Sequence, residues 1–147
     1  MENAKKNLKT FSILVLVLAA YALVMLVLNA IKLGSTPVDV PDGTPQIAVD
    51  IAKYIAIGVS GLMLLPRVYI GVKGLKIAND PENAGKAHII WAVILLVFSV
   101  LALISPLTEL FKGGDILVKI GDLAMAVLEA AAFLGYLDSA RRVAKGE

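Results

Sequence analysis

Two long stretches of the chain carry no charged side chain. They cover residues 11–31 and 87–107, and each is 21 residues long. A helix needs roughly 20 mainly apolar residues to cross about 30 Å of hydrocarbon, so both stretches predict transmembrane helices. Lys5, Lys6 and Lys9 precede the first stretch, as basic residues do in a signal peptide. The apolar stretch is longer than that of a signal, however, and we expect it to be retained.

Two further segments, 47–78 and 115–143, are apolar but interrupted by charged residues. A charge at mid-bilayer costs roughly 2.5–3.5 kcal/mol on insertion scales. These segments are therefore either amphipathic helices that face solvent or spans whose polar side chains face protein. The second reading is favoured by strongly apolar stretches within them, at 54–66 and 123–137. The sequence thus predicts four transmembrane helices, at about 10–32, 47–78, 86–109 and 115–143.

The connections between these helices are rich in proline, glycine and asparagine. Residues 34–46 contain three prolines, which cannot donate to a helix ladder, so this segment predicts a loop. Thr44 followed by Pro45 is a typical helix start. Residues 79–85 and 113–115 predict the other two turns, and no segment has the pattern of a strand. The predicted fold is all-α: one domain, 1–147, forming an antiparallel up-down four-helix membrane bundle.

The basic residues are distributed unequally between the two sides of this bundle. The amino tail, residues 67–86 and the carboxyl tail hold ten of the 14 lysines and arginines, and the opposite side holds four. The positive-inside rule therefore predicts that both termini are cytoplasmic. The short loops and tails favour a plasma membrane, and in particular the inner membrane of a bacterium.

Composition narrows the possible functions. The chain is 59% hydrophobic, against about 45–50% for a soluble domain. Its net charge of +2 is too small to favour nucleic acid as a partner. It has no cysteine and one histidine, so neither a disulfide framework nor a metal site is expected. No catalytic motif is present, and the sequence predicts neither an enzyme nor a cofactor.

Polar residues recur at matching intervals on the second and fourth predicted helices. The spacing of 3, 4, 3, 4 and 3 residues produces one continuous face on each helix, which is typical of two helices packed side by side. Equal depth predicts that Asp50 meets Lys119, Lys53 meets Asp122, Ser60 meets Glu129 and Arg67 lies near Tyr136. The candidate seam residues are Asp50, Lys53, Ser60, Arg67, Lys119, Asp122, Glu129 and Tyr136.

This seam has two main interpretations, and a third in which the two faces contact different partners, including another subunit. In the structural one, crossed ion pairs fix the helix register, and Arg67 extends to the cytoplasmic interface. In the functional one, the seam is a polar pathway in which Glu129 acts, because ionisable groups inside a membrane are functional candidates. Since the neighbours of Glu129 are apolar and no base is expected close by, we expect an uncharged carboxyl group opposite Ser60.

Small residues predict where helices approach closely, because backbones in lipid pack best through small side chains. One such series predicts contact between the second and fourth helices, and it pairs Ala52, Ala56 and Ser60 with Ala131, Gly135 and Ser139. Another series, Gly71, Gly74 and Ala78, extends a smooth face along the end of the second helix.

We expect His88 to be an interfacial residue beside Trp91.

Two functions remain after these exclusions. The first is a non-enzymatic membrane protein that acts by association, as an accessory subunit or an oligomeric scaffold. The alternative is a small oligomeric transporter or channel, coupled to protons or cations through Glu129. The expected partners are the lipid bilayer and either a second copy of the chain or a larger membrane protein.

Overall fold

The structure is a computed structural model that describes residues 1–35, 43, 45–83, 85–112 and 114–147. It is all-α, as predicted. Most of the predicted loop 34–46, including Thr44, lies outside the described residues. The helices are α1 (Glu2–Ser35), α2 (Gln46–Leu62), α3 (Leu64–Asn79), α4 (Ala87–Ala102), α5 (Ile104–Leu110) and α6 (Ile116–Lys145), with a 3-10 turn at Pro81–Asn83.

Three helical segments among the described residues are long and apolar enough to cross a membrane: Glu2–Ser35, Gln46–Asn79 and Ala87–Leu110. Helix α1 begins at Glu2, eight residues before its predicted start at residue 10. Lysines permit a helix to continue, and no helix breaker precedes Phe11. The fourth long helix, α6, carries the most interrupted of the apolar sequences. Asp115 caps its start by accepting a hydrogen bond from the Leu117 N–H at 3.0 Å.

Two of the predicted helices are interrupted, one near its middle and one near its end. The second is divided at Met63 into α2 and α3, and the third is divided at Leu103 into α4 and α5. In both cases a proline, Pro66 or Pro106, follows the interruption by three residues. Proline has no N–H to donate to the carbonyl four residues earlier, and its ring crowds that carbonyl, so the helix kinks there.

The buried core occupies only one half of the described molecule. Met1 lies against Gly146, so both termini are at this end, which we call the closed end. In α1 the buried residues extend from Ala4 to Ala19, and in α6 they extend from Ala132 to Val143. Beyond this level, neither α2 nor α5 has a buried residue. We call this other half the open end.

Helix α1 organises the packing at the closed end, where α3 and α6 are its main partners. Helix α4 also packs on α6, whereas α2 packs mainly on α1 and α3. The predicted seam along the second and fourth helices is therefore wrong over most of its length. Ala52, Ala56 and Ser60 are exposed in α2, and a Cβ at Gly135 of α6 would overlap the ring of Phe11 in α1.

The predicted smooth face of α3 is confirmed, because Gly71, Gly74 and Ala78 are all buried. Gly74 has the closest surroundings of the three. A Cβ at this position would overlap Ser12 Oγ of α1 and lie 2.5 Å from Cε2 of Tyr136 in α6. The absence of a side chain at Gly74 therefore allows three helices to meet at one point.

We expect Gly74→Ala to lower the free energy of unfolding by about 1–3 kcal/mol, because overpacking forces fully buried Tyr136 to move. Gly58→Ala is the matched control in α2, where a Cβ has no neighbour within 4 Å. There the better helix propensity of alanine should raise stability by up to about 1 kcal/mol. Denaturation in mixed micelles, followed by circular dichroism, measures both, and equal effects would contradict this packing.

Candidate functional site

A cavity of about 570 Å³ lies between the four long helices, at the level where the buried core ends. Its wall takes residues from the middle of α1 and α6 and from the ends of α2, α3 and α4 that flank the two kinks. Ligand pockets in proteins commonly measure about 300–1,000 Å³, so the space suits a small organic molecule. The packing of the closed half provides its floor.

The cavity wall is mainly apolar, and its polar groups are few. Three of the chain's four methionines line it, and they come from α1, from the kink at Met63 and from α6. Methionine side chains are flexible and polarizable, so they adapt to apolar molecules of different shapes. The polar and charged lining residues are Tyr21, Asn29, Ser60, Arg67, Ser99 and Glu129.

Arg67 and Glu129 form an ion pair in this cavity. Nη2 of Arg67 lies 2.6 Å from Oε1 of Glu129, and the two side chains are 23% and 24% exposed. Oε1 of Glu129 has no hydrogen bond among the described residues, so the contact is an ion pair without one. Arg67 Nε is buried and has no hydrogen-bond partner among the described residues. The guanidinium group therefore has donors that Glu129 does not use.

This contact corrects two sequence predictions. Arg67 pairs with Glu129 instead of the predicted Tyr136, and Glu129 does have a base beside it. Arg67 follows Ser60, the residue predicted opposite Glu129, by seven positions, which is about 10 Å of helical rise. The length of the arginine side chain and the kink before Pro66 allow the two groups to meet. Ser60 lines the same cavity as Glu129, in agreement with their predicted common depth.

Asp50, Lys53, Lys119 and Asp122 lie towards the open end, and the two lysines have different partners from those predicted. Lys53 Nζ is 3.8 Å from Oδ1 of Asp50 in its own helix, and it donates to the Leu33 carbonyl of α1 at 3.4 Å. Lys119 donates to the carbonyls of Glu109 and Lys112, at the end of α5. Asp122 is exposed. These contacts fix helix ends and do not contribute to the cavity.

A second polar group lies in the closed half and was not predicted. His88 is 1% exposed, and its ring meets that of buried Tyr136 edge-on at a centroid distance of 6.3 Å. The interpretation of His88 as an interfacial residue is therefore wrong. Ser12 Oγ and Tyr136 Oη are also buried, without hydrogen-bond partners among the described residues. In the sequence, Tyr136 was a seam candidate and the small-residue face of α3 indicated a close approach, but neither feature indicated that His88 and Ser12 would lie beside Tyr136.

Comparison with known proteins gives no further guide to the cavity. No family model, no curated protein and no solved structure matches the chain. Among the described residues, no three His, Asp or Glu side chains are placed to hold a metal ion together.

We expect Arg67→Gln and Glu129→Gln each to destabilise the protein, because each leaves a partly buried charge unpaired. The double variant should recover part of the loss, with a coupling energy of about 1–3 kcal/mol in a double-mutant cycle. The matched control is the exposed pair Arg142–Asp138, whose atoms are 3.0 Å apart. Its coupling should not exceed about 0.5 kcal/mol. Additive losses at Arg67 and Glu129 would contradict the pairing.

Proposed function

We propose that the protein is a small membrane transporter that takes up a solute in the cavity at Arg67 and Glu129. The observation that carries the proposal is the position of this ion pair, on the wall of a cavity between four helices. A pair that served packing alone would be enclosed by side chains. Here both side chains line a space large enough for an organic molecule, and Nε of Arg67 has no hydrogen-bond partner among the described residues.

In this proposal α6 is the fourth transmembrane helix, and the four spans alternate in direction. Arg67 lies in the cavity, so it no longer counts towards the side of the termini. That side then holds nine basic residues, and the opposite side holds four. The positive-inside rule then places both termini in the cytoplasm and opens the cavity outwards. The setting we propose is the plasma membrane of a bacterial cell.

The two kinks provide a route for conformational change. Interrupted helices at corresponding positions often flank the substrate and ion sites of transporters. Here Met63 lies at one kink and Ala102 directly precedes the other, and both residues line the cavity. While paired, Arg67 and Glu129 contribute no net charge, which lowers the cost of placing them inside the membrane. Separation of the pair frees Glu129 to take a coupling proton or cation.

Single cysteines test the proposed access route, since the chain has no cysteine of its own. In intact cells, Ala126→Cys and Ser60→Cys should react with an impermeant thiol reagent. Val127→Cys, next in sequence but off the cavity wall, should not react if it faces lipid. Asn3→Cys and Lys145→Cys should react only after the membrane is opened. Protection of the cavity cysteines would contradict an outward opening.

Flux in liposomes tests transport itself. A pH dye and a sodium dye inside the liposomes would report the movement of protons and of sodium. A gradient of each ion would be applied first alone and then together with a mixture of small organic acids, amines and alcohols. Glu129→Gln should abolish any flux that the parent protein supports, because the coupling carboxylate is lost. Glu109→Gln makes the same chemical change outside the cavity and should have no effect. Absence of flux under every condition would exclude transport.

The second candidate function is association, and the uncovered face of α2 favours it. No residue of α2 is buried, and Ala52 and Ala56 present a small-residue surface of the kind that packs against another helix. We propose a second copy of the chain as its partner. Oxidation of Ala56→Cys in membranes should then yield a disulfide-linked dimer, whereas Val97→Cys on α4 should remain monomeric. Equal cross-linking at both positions would indicate random collision.

A further inference from the structure

We infer that the cavity binds an organic anion with an apolar body, and that Glu129 takes up one proton when the anion binds to Arg67. This inference rests on the proposed transport function and names its substrate class and coupling. It depends on three features of the cavity: the unused donors of Arg67, the balance of charge in the wall, and the apolar lining.

The first feature is an excess of hydrogen-bond donors at Arg67. A guanidinium group has five N–H donors in a planar fork and cannot act as an acceptor. Nη2 is the guanidinium nitrogen in contact with Oε1 of Glu129, and Nε is buried without a hydrogen-bond partner among the described residues. A carboxylate or a similar anion accepts two parallel N–H bonds from such a fork. The site is therefore better suited to an anion than to an amine.

The second feature is the charge balance. The titratable groups in the described cavity wall are Tyr21 from α1, Arg67 from α3 and Glu129 from α6. With the phenol neutral, Arg67 and Glu129 sum to zero. An anion that displaces the Glu129 carboxylate from Arg67 would leave the cavity with a net negative charge. An unpaired charge is costly in an apolar environment.

Uptake of one proton removes this cost. The anion accepts N–H bonds from Arg67, the contact between Glu129 and Arg67 breaks, and a proton from water adds to a carboxylate oxygen of Glu129. The sum of charges is zero before and after the exchange. Glu129 and the anion compete for one guanidinium group, so anion binding and proton uptake are thermodynamically linked.

The third feature determines the rest of the ligand. Met25, Met63 and Met125 line the cavity together with Phe98 and aliphatic residues. This surface fits an apolar group and offers it few hydrogen bonds. A bare inorganic anion would leave most of the wall without a contact. An aryl or alkyl carboxylate places its charge at Arg67 and its hydrocarbon against the methionines.

Calorimetry in phosphatidylcholine nanodiscs tests the inference with 4-phenylbutyrate as the probe. The amine 4-phenylbutylamine and the alcohol 4-phenylbutanol share its hydrocarbon and serve as controls. Titration in two buffers of different ionisation enthalpy gives the number of protons taken up. We expect 4-phenylbutyrate to bind more tightly than either control, with uptake of about one proton per anion, as charge balance requires.

Two variants separate the roles of the pair. Glu129→Gln should still bind 4-phenylbutyrate, but with no proton uptake, because the competing carboxylate is absent. The double variant Arg67→Gln/Glu129→Gln leaves no unpaired charge, and it should bind roughly 10- to 100-fold more weakly, as expected for the loss of a charge-assisted hydrogen bond. Arg142→Gln removes an exposed arginine of α6 and should leave the affinity unchanged.

Each contrary result has a distinct meaning. Tighter binding of 4-phenylbutylamine than of 4-phenylbutyrate would overturn the inference. So would equal affinity of the parent protein and the double variant for 4-phenylbutyrate. In either case, reaction of the cavity cysteines with thiol reagents would still support transport. Unreactive cavity cysteines and absent flux would instead overturn the transport function. Anionic lipid offers the same chemistry as a free acid. A loss of affinity in phosphatidylglycerol nanodiscs would assign the site to a lipid headgroup, and unchanged affinity would assign it to a solute.

Discussion

The ion pair between Arg67 and Glu129 lies at the level where close packing ends, and the arrangement of both halves depends on it. It joins α3 to α6 at the opposite end of their contact from Gly74 and Tyr136. Either charge alone is costly here, because an isolated charge in an apolar environment loses its hydration without compensation. Each residue therefore lowers the cost of the other, and the pair links the two helices beside a cavity that packing leaves unfilled.

The four long helices and the importance of Glu129 were predictable from the sequence. Uncharged runs of membrane length and loops rich in proline and glycine are local signals, and the structure contains helices at all four predicted places. The partner of Glu129 was not predictable in this way. Repeated spacing on two helices was taken to mean direct contact, but α1 lies against both α3 and α6. Periodicity shows which face of a helix is distinctive, and it does not show which helix covers that face.

The small residues around Gly135 likewise indicate a contact without indicating which helix makes it. The four-residue repeat of Ala131, Gly135 and Ser139 correctly indicated a close approach on α6. Phe11 of α1 occupies this space, and α2 does not. A gap left by glycine accepts any large side chain of suitable shape, so small residues predict a contact without naming the partner. The burial of His88 was hidden for a related reason, since its partner Tyr136 is distant in sequence and is brought near by α6 packing on α4.

The difference between the two halves of the molecule gives the kinks their significance. In the closed half, Gly74 permits α1, α3 and α6 to interlock around buried Tyr136, so this half resists rearrangement. The outer segments α2 and α5 contain no buried residue, and each is joined to its inner helix at a kink where proline removes one hydrogen bond. Movement of these segments changes few buried contacts. The cavity lies beside both kinks, so in the proposed transport function such movement would alter access to Arg67 and Glu129 while the closed half keeps its structure.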